Sequence, residues 1–290
     1  MKAVVQYKYG GPETLQLEEV SKPIMKDNEI LIQVYAANIA SGDMRINTLD
    51  VPSVLKPILR LVFGLKGPRK KVRGITGSGI VVETGSLVTK YKSGDRVNYI
   101  NSMGAGCLAE FIVLKEKTVM AIVPDNVSFI DAAPIPFGAM SAYHFINEKT
   151  VKEGSNVLVY GASGSVGSAA VQLAKYYGAT VTAVSSKKNH ETMKSLGADK
   201  VIDYKTEDFT KNTIRYDVIF DAVLKTTKKQ CKNVLTKNGI YMSVKSMTKE
   251  LSSRIKLLND LTSSGKISTL IDKKYKLEEY REAHSHVYSK

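Results

Sequence analysis

Three glycines, Gly161, Gly164 and Gly167, stand in the string NVLVYGASGSVG at residues 156–167, between an apolar run and a helix-periodic one. The spacing is that of a strand turning sharply into a helix above a phosphate. Gly161 permits the tight turn, Gly164 lets backbone approach a pyrophosphate, and Gly167 lets helix and strand pack closely. Around Ala162, the amides of Ser163, Gly164, Ser165 and Val166 then face an anion, helped by the helix dipole. Loose in a sequence the triplet says little; set between a strand and a helix it marks a dinucleotide site. The next strand, TVTAV, ends in Ser185-Ser186-Lys187-Lys188. An NAD-preferring site offers a carboxylate there to the ribose hydroxyls. Hydroxyls and an ammonium at Ser185, Ser186 and Lys188 suit a 2′-phosphate instead, so NADPH is the predicted cofactor.

Such a turn needs a parallel sheet around it, and the sequence supplies one. After Gly154, strand-like runs (NVLVY, TVTAV, KVIDY, YDVIFDAV, GIYMSV) alternate with helix-periodic segments at Val166–Tyr177 and Asn189–Leu196 and a Lys-rich helix to Leu235. That alternation predicts a doubly wound α/β domain. Before Ile122 the chain reads as short extended segments, Lys2–Tyr7, Glu29–Ala36, Ser78–Glu83, Arg96–Tyr99 and Ala109–Leu114, separated by turn residues. A compact β-rich domain is expected there. Asp131–Asn147 has a helical period with Pro134 and Pro136 in its first turn, and is expected to connect the two.

The chain has 290 residues, 43% of them hydrophobic, and is long enough for two domains. Cys107 and Cys231 can form at most one bridge and cannot make a four-thiolate zinc site. No leader or membrane span is recognisable, so a cytoplasmic protein with no membrane partner is expected. The formal net charge is +14, with one tight cluster at Arg69, Lys70, Lys71 and Arg73. Lysine is otherwise scattered, which reads as a solvated basic surface; nucleic acid is not an expected partner.

Several strings in order resemble the medium-chain dehydrogenase/reductases, and within them the zinc-free quinone oxidoreductase-like branch. They are MKAVVQYKYGGPETLQLEEV, the turn Gly94-Asp95-Arg96-Val97, AAPIPFGAMSAY, GASGSVGSAAVQLAK and SLGADKVIDY. The resemblance spans nearly the whole chain. It implies a GroES-like β-rich catalytic domain over 1–122, with 268–290 returning to it, and a Rossmann domain with a parallel sheet over 123–267, the active site lying in the cleft. It also implies Ser141 near the nicotinamide, Tyr204 near the 2′-phosphate and Ala222-Val223 beside the cofactor. Zinc-dependent members carry a Cys where this chain reads NIASGD, and Gly-His-Glu where it has Gly74-Ile75-Thr76. None of His144, His190, His284 or His286 falls at a metal position, so no metal is expected.

Without a Lewis acid to hold an alkoxide, alcohol oxidation is harder than reduction of an activated acceptor. A quinone or α,β-unsaturated carbonyl spreads the incoming charge onto oxygen, where donors can stabilise it. The resemblance thus implies NADPH-dependent reduction of a small carbonyl or quinone substrate, with Asn38, Asp43 and Arg45 the polar groups nearest by family position. Two alternatives stay open: an enoyl or acyl-chain reductase, and a non-catalytic NADPH-binding scaffold. Between GIYMSV and the helix near Glu250 only residues 245–249 intervene, too few for a further strand with its connections. The Rossmann sheet is therefore expected to be shortened by one strand and to stop at five. The chain is also expected to be clipped relative to family members after HSHVYSK, and a homodimer is left open.

Overall fold

Ile30, Ile32, Val81, Val97, Tyr99, Ile112 and Met120 form the buried centre of a β-rich unit in the computed structural model. The model describes residues 1–50, 56–102, 105–246 and 248–289. It divides into one unit of Met1–Pro136 with Ile271–Lys290 and a second of Phe137–Leu270.

In the first unit, β1 (Lys2–Gln6) and β2 (Leu15–Glu19) make an antiparallel hairpin. Then follow β3 (Glu29–Asn38), α1 (Ser41–Thr48), α2 (Lys56–Phe63), β4 (Thr76–Thr84), β5 (Arg96–Ile100), β6 (Phe111–Lys115), β7 (Val119–Ile122) and α3 (Phe129–Ala132). The five longer-range strands form a sheet in the order β6-β3-β4-β5-β7, every pair antiparallel. Residues 123–136 stay with this unit because its sheet holds their carbonyls. Ser78 Oγ donates to Phe129 O at 2.6 Å, Asn98 Nδ2 to Ala132 O at 2.9 Å and an Arg96 guanidinium N–H to Val127 O.

The second unit runs α4 (Gly138–Phe145), β8 (Asn156–Tyr160), α5 (Ser165–Tyr176), β9 (Thr180–Ser185), α6 (His190–Ser195), β10 (Lys200–Asp203), β11 (Tyr216–Asp221), α7 (Lys228–Cys231), β12 (Leu235–Ser243) and α8 (Ser252–Ser263). Its sheet is parallel throughout, in the order β10-β9-β8-β11-β12. Among the described residues it has five strands, as the short 245–249 connection leads one to expect; Met247 of that connection lies outside the described residues. The chain then returns to the first unit with α9 (Tyr280–Tyr288), which packs on α1, where the buried His284 lies with Nδ1 3.5 Å from Met44 Sδ.

Two expected helices differ. Asp131–Asn147 is not continuous: α3 ends at Ala132, α4 starts at Gly138 and the residues between form turns. Pro134 and Pro136 bring no N–H to bond a preceding carbonyl and their rings crowd the turn before them, which breaks the helix. The Lys-rich helix before Leu235 is only α7 and a short 3-10 turn, because β12 already begins at Leu235, paired with Tyr216 across an irregularity in register. No helix among the described residues is long and apolar enough to cross a membrane.

Candidate functional site

β8 is a fully apolar run at its centre, as a strand covered on both faces must be. It delivers the chain into the turn at Gly161, whose φ of +76° is the left-handed region that favours glycine. The amides of Gly161 and Ala162 both donate to Val184 O, at 3.1 and 3.0 Å, which locks the turn onto β9. At Gly167 a Cβ would come 2.2 Å from Gly161 O and 2.8 Å from Ala162 Cα, so only glycine lets α5 sit this close to the strand. Gly164 is different. A Cβ there would meet nothing nearer than Gly161 O at 3.6 Å, leaving open space in front of the turn.

Gly164 is also the N-cap of α5, and no side chain caps it. The amides of Ser165, Val166 and Gly167 have no intrahelical acceptor, as at any helix start, and they follow directly on the glycine that borders that open space. Here is a cradle that a Cβ would fill, lined by uncapped donors: the residues fit a dinucleotide pyrophosphate. Ser163 sits half-buried in the turn. Ser141 lies in the first turn of α4, whose Gly138 packs so tightly on Ser165 that a Cβ would come 2.2 Å from its Oγ.

At the end of β9 the side chains separate. Ser185 is buried and its hydroxyl donates to Ser186 O at 3.4 Å. Ser186 Oγ accepts from Asn189 Nδ2 at 3.2 Å, while Lys188 is exposed. Tyr204, which follows β10, is half exposed, and its amide reaches Ser185 O at 3.4 Å. The parallel pairing of Asp203 with Ser185 thus brings Tyr204 beside the serines. Ala222 and Val223 leave the end of β11, and Val223 covers Gly161, its Cγ1 2.5 Å from where a Cβ would stand. Their loop is folded by Asp221, fully buried, whose carboxylate accepts from the amides of Val223 (2.9 Å) and Thr226 (2.7 Å) and from the Thr226 hydroxyl. The sequence reading missed Asp221, although an Asp closing an apolar strand before a loop is the signal for such a role.

In the first unit, Asn38 ends β3 opposite Thr76 on β4. Asn38 Nδ2 and Thr76 Oγ1 are both buried, and neither has a hydrogen-bond partner among the described residues. Directly opposed residues on antiparallel strands share a face, so the two unsatisfied groups form one polar spot. Thr76 was read from the sequence only as a missing metal ligand. Asp43 is buried, and its carboxylate accepts from Ala40 N at 3.0 Å and Ile75 N at 3.1 Å. It therefore ties together the two segments that carry zinc ligands in zinc-dependent relatives. Arg45, two residues on, is exposed. Residues two apart on a helix face different ways, so Asp43 and Arg45 make no acid–base pair. Arg73, grouped from the sequence with the basic surface, is in fact buried, its Nε donating to Asn47 Oδ1 at 2.8 Å.

Burial pushes the Asp43 carboxyl up to about 6, against the pull of the Ala40 and Ile75 amides and the nearby Arg73. A folded-state value above the unfolded one means that the native protein holds the extra proton between pH about 4 and about 6. Stability from this group is therefore complete below about pH 4 and is lost as pH rises through about 6, by about 3 kcal/mol. Asp43→Asn cannot titrate. In thermal melts at stepped pH, the advantage of wild type over Asp43→Asn is expected to shrink from pH 4 to pH 7; a constant gap would show that Asp43 does not titrate in this range.

The donors do not fit a catalytic zinc. Ala40, Ile75 and Thr76 occupy the segments concerned, and among the described residues no three His, Cys, Asp or Glu side chains cluster to hold a metal. Burial holds the Cys107 thiol well above its usual range, so it offers no thiolate.

The alcohol dehydrogenase GroES-like domain family matches residues 26–125, and the zinc-binding dehydrogenase family matches residues 165–284. A 2-methylene-furan-3-one reductase of Solanum lycopersicum is 33% identical over 291 residues, covering 94% of this chain and 72% of that protein. A chloroplastic NADPH-dependent alkenal/one oxidoreductase of Arabidopsis thaliana is 32% identical, with the same two shares covered. The solved quinone oxidoreductase of Coxiella burnetii superposes with a TM-score of 0.83 at 26% identity, over 100% of this chain and 96% of that one. With a GroES-like antiparallel unit, a Rossmann parallel sheet and its glycine turn in place, the chain belongs to the medium-chain dehydrogenase/reductase superfamily. Within that superfamily it is a quinone oxidoreductase-like protein.

Proposed function

We propose that the chain is a zinc-independent, NADPH-dependent oxidoreductase that reduces a quinone or an α,β-unsaturated carbonyl. The observation that carries this reading is the uncapped start of α5 facing open space at Gly164, followed by a β9 end with hydroxyls and a lysine but no acid. The names of the alkenal/one, furanone and quinone reductases support the acceptor class.

NADPH, when bound, supplies the hydride. The amides of Ser163, Ser165 and Val166, around Ala162, would hold the pyrophosphate at the start of α5; the Gly164 amide, expected from the sequence to join them, instead donates to Gly161 O at 3.2 Å and shapes the turn. Ser186 and Lys188 hold the 2′-phosphate with Tyr204 alongside; the buried Ser185 positions that strand end from beneath. Ala222 and Val223 line the cofactor, and Ser141 stands at its nicotinamide end. Asn38 Nδ2 donates to the acceptor's carbonyl oxygen as charge develops there, and Asp43 fixes the segment that carries it. Arg45, exposed, serves the site at most through the field of its charge on the acceptor's carbonyl oxygen, and the proton comes from solvent. The two cysteines are free and buried, which supports a reducing compartment, and the cytoplasm is our assignment. The free edge of β12, paired only with β11 among the described residues, supports a homodimer.

Binding titrations should show tighter NADPH than NADH, and Lys188→Ala should weaken NADPH about tenfold while leaving NADH nearly unchanged. Equal affinity for the two cofactors in wild type would remove the 2′-phosphate assignment.

A further inference from the structure

The helix α2 carries two apolar stripes, and only one of them is used. Leu59 and Phe63, four apart, are partly covered, whereas Ile58, Leu61 and Val62 are 61%, 63% and 45% exposed and Leu65 just beyond is 65% exposed. Positions i, i+3 and i+4 fall on one side of a helix, so Ile58, Leu61 and Val62 form one ridge towards solvent, and Leu65, past the helix end where Gly64 takes a φ of +131°, adds a further exposed apolar side chain on the loop. No residue of α2 is fully buried.

Cations flank the ridge. Lys56, Arg60, Lys66, Arg69, Lys70 and Lys71 are all exposed. From residue 51 to residue 82 the sequence contains no Asp or Glu, and none of these six pairs with a carboxylate among the described residues. The basic loop is held beside the helix end: Arg69 N donates to Phe63 O at 2.7 Å, and Tyr9 Oη to Gly64 O at 2.9 Å. Gly67 passes so close to Tyr7 that a Cβ would come 1.8 Å from its carbonyl oxygen. The fold thus spends rigid local structure on presenting an apolar ridge with an unneutralised positive border.

We propose that α2 and the loop to Lys71 form a docking surface for an anionic lipid membrane. A short amphipathic helix lies in the headgroup layer with its apolar side chains among the acyl chains, and stable binding takes a second signal, here the basic border. Each cation near an anionic leaflet strengthens binding about fivefold. No helix among the described residues is long and apolar enough to cross a membrane, and a surface ridge of this kind needs none. A folded acidic protein offers charge but no fluid apolar phase for these exposed apolar side chains, and nucleic acid would leave the ridge in water.

The test is flotation of the full chain with vesicles of phosphatidylcholine alone and of phosphatidylcholine with phosphatidylglycerol, at low and high salt. Two variants accompany wild type: Leu61→Ser with Val62→Ser, and Lys66→Gln with Arg69→Gln and Lys70→Gln. None of these residues belongs to the proposed cofactor site, so unchanged thermal stability and NADPH binding certify the fold. Wild type should float with the anionic vesicles and lose them as salt rises, the charge variant should bind about a hundredfold more weakly, and the apolar variant at least about tenfold more weakly. Equal binding to neutral vesicles, or vesicle binding unchanged in both variants, would overturn the proposal. So would absence of flotation together with a wild-type dimer that the apolar pair converts to monomer, or with salt-sensitive oligonucleotide binding indifferent to that pair.

Discussion

Gly164→Ala is expected to leave the melting temperature of the free protein within a few degrees of wild type and to weaken NADPH by about tenfold or more. The φ of Gly164 is −79°, ordinary for any residue, and its absent Cβ has only Gly161 O within reach, at 3.6 Å. An alanine is therefore accommodated by the empty turn. Its methyl group occupies the space from which a pyrophosphate oxygen would accept backbone hydrogen bonds, and each such charge-assisted bond is worth about 1.5–3 kcal/mol. Gly167→Ala separates the two effects. Its Cβ would meet backbone atoms of Gly161 and Ala162 at 2.2 and 2.8 Å, which no side-chain rotation relieves. That variant should lose about 1–3 kcal/mol of stability as well as its cofactor. Thermal melts with and without NADPH read both: wild type gains stability on binding, Gly164→Ala starts from the same baseline and gains little, and Gly167→Ala starts lower. Should Gly164→Ala gain as much from NADPH as wild type, the pyrophosphate does not lie at this turn.

The second large effect is expected at Asn38. Its Nδ2 is a buried donor with no acceptor among the described residues, an arrangement that costs about 1–3 kcal/mol unless something else supplies the acceptor. Asn38→Ala removes no hydrogen bond of that nitrogen within the protein, so stability should hold or rise. Turnover is another matter, because deleting one preorganised donor to a developing oxyanion lowers kcat about a hundredfold or more. Asn38→Asp, which puts an acceptor where a donor is needed, should be no better. NADPH affinity should be unchanged in both. Thr76, opposite Asn38 and also unsatisfied, should show a smaller loss as Thr76→Val. Steady-state kinetics with saturating NADPH check this, and a kcat unchanged in Asn38→Ala would take the acceptor contact away from Asn38.

What the residues disclosed in advance divides along physical lines. The turn at Gly161 was legible because a backbone constraint is written in residue type: only glycine takes that φ, and only glycine clears Gly161 O at position 167. The parallel sheet was legible because strands covered on both faces read as apolar runs, and its five strands among the described residues agree with the shortness of the 245–249 connection. The single helix expected over Asp131–Asn147 was wrong because Pro134 and Pro136, expected to fit its first turn, fall after α3 has ended and interrupt it. Side-chain burial was the least legible. Arg73 looked like one cation of a surface cluster, yet it is buried against Asn47, and Ser185 looked like a phosphate ligand, yet its hydroxyl is turned to its own strand. Both depend on contacts distant in sequence or on strand register. Asp43 is similar: its type said polar site residue, and only the structure places its carboxylate between Ala40 and Ile75, 32 residues from the latter.

Asp43 and the glycine turn together explain how a chain of this superfamily can keep its cofactor cradle while its metal segments are held by a carboxylate bridging two backbone amides. With the metal chemistry absent from the donor set, the reaction has to fall on an acceptor that carries its own electron sink. The most direct test is NADPH consumption, followed by loss of its absorbance, with the purified full chain and a panel of quinones, enones, enoyl thioesters and simple alcohols. NADPH should be oxidised in the presence of a quinone or enone, faster than NADH, with no NADP-dependent oxidation of the alcohols. NADPH bound but consumed with none of these acceptors, or alcohol oxidation at a comparable rate, would contradict the proposed function.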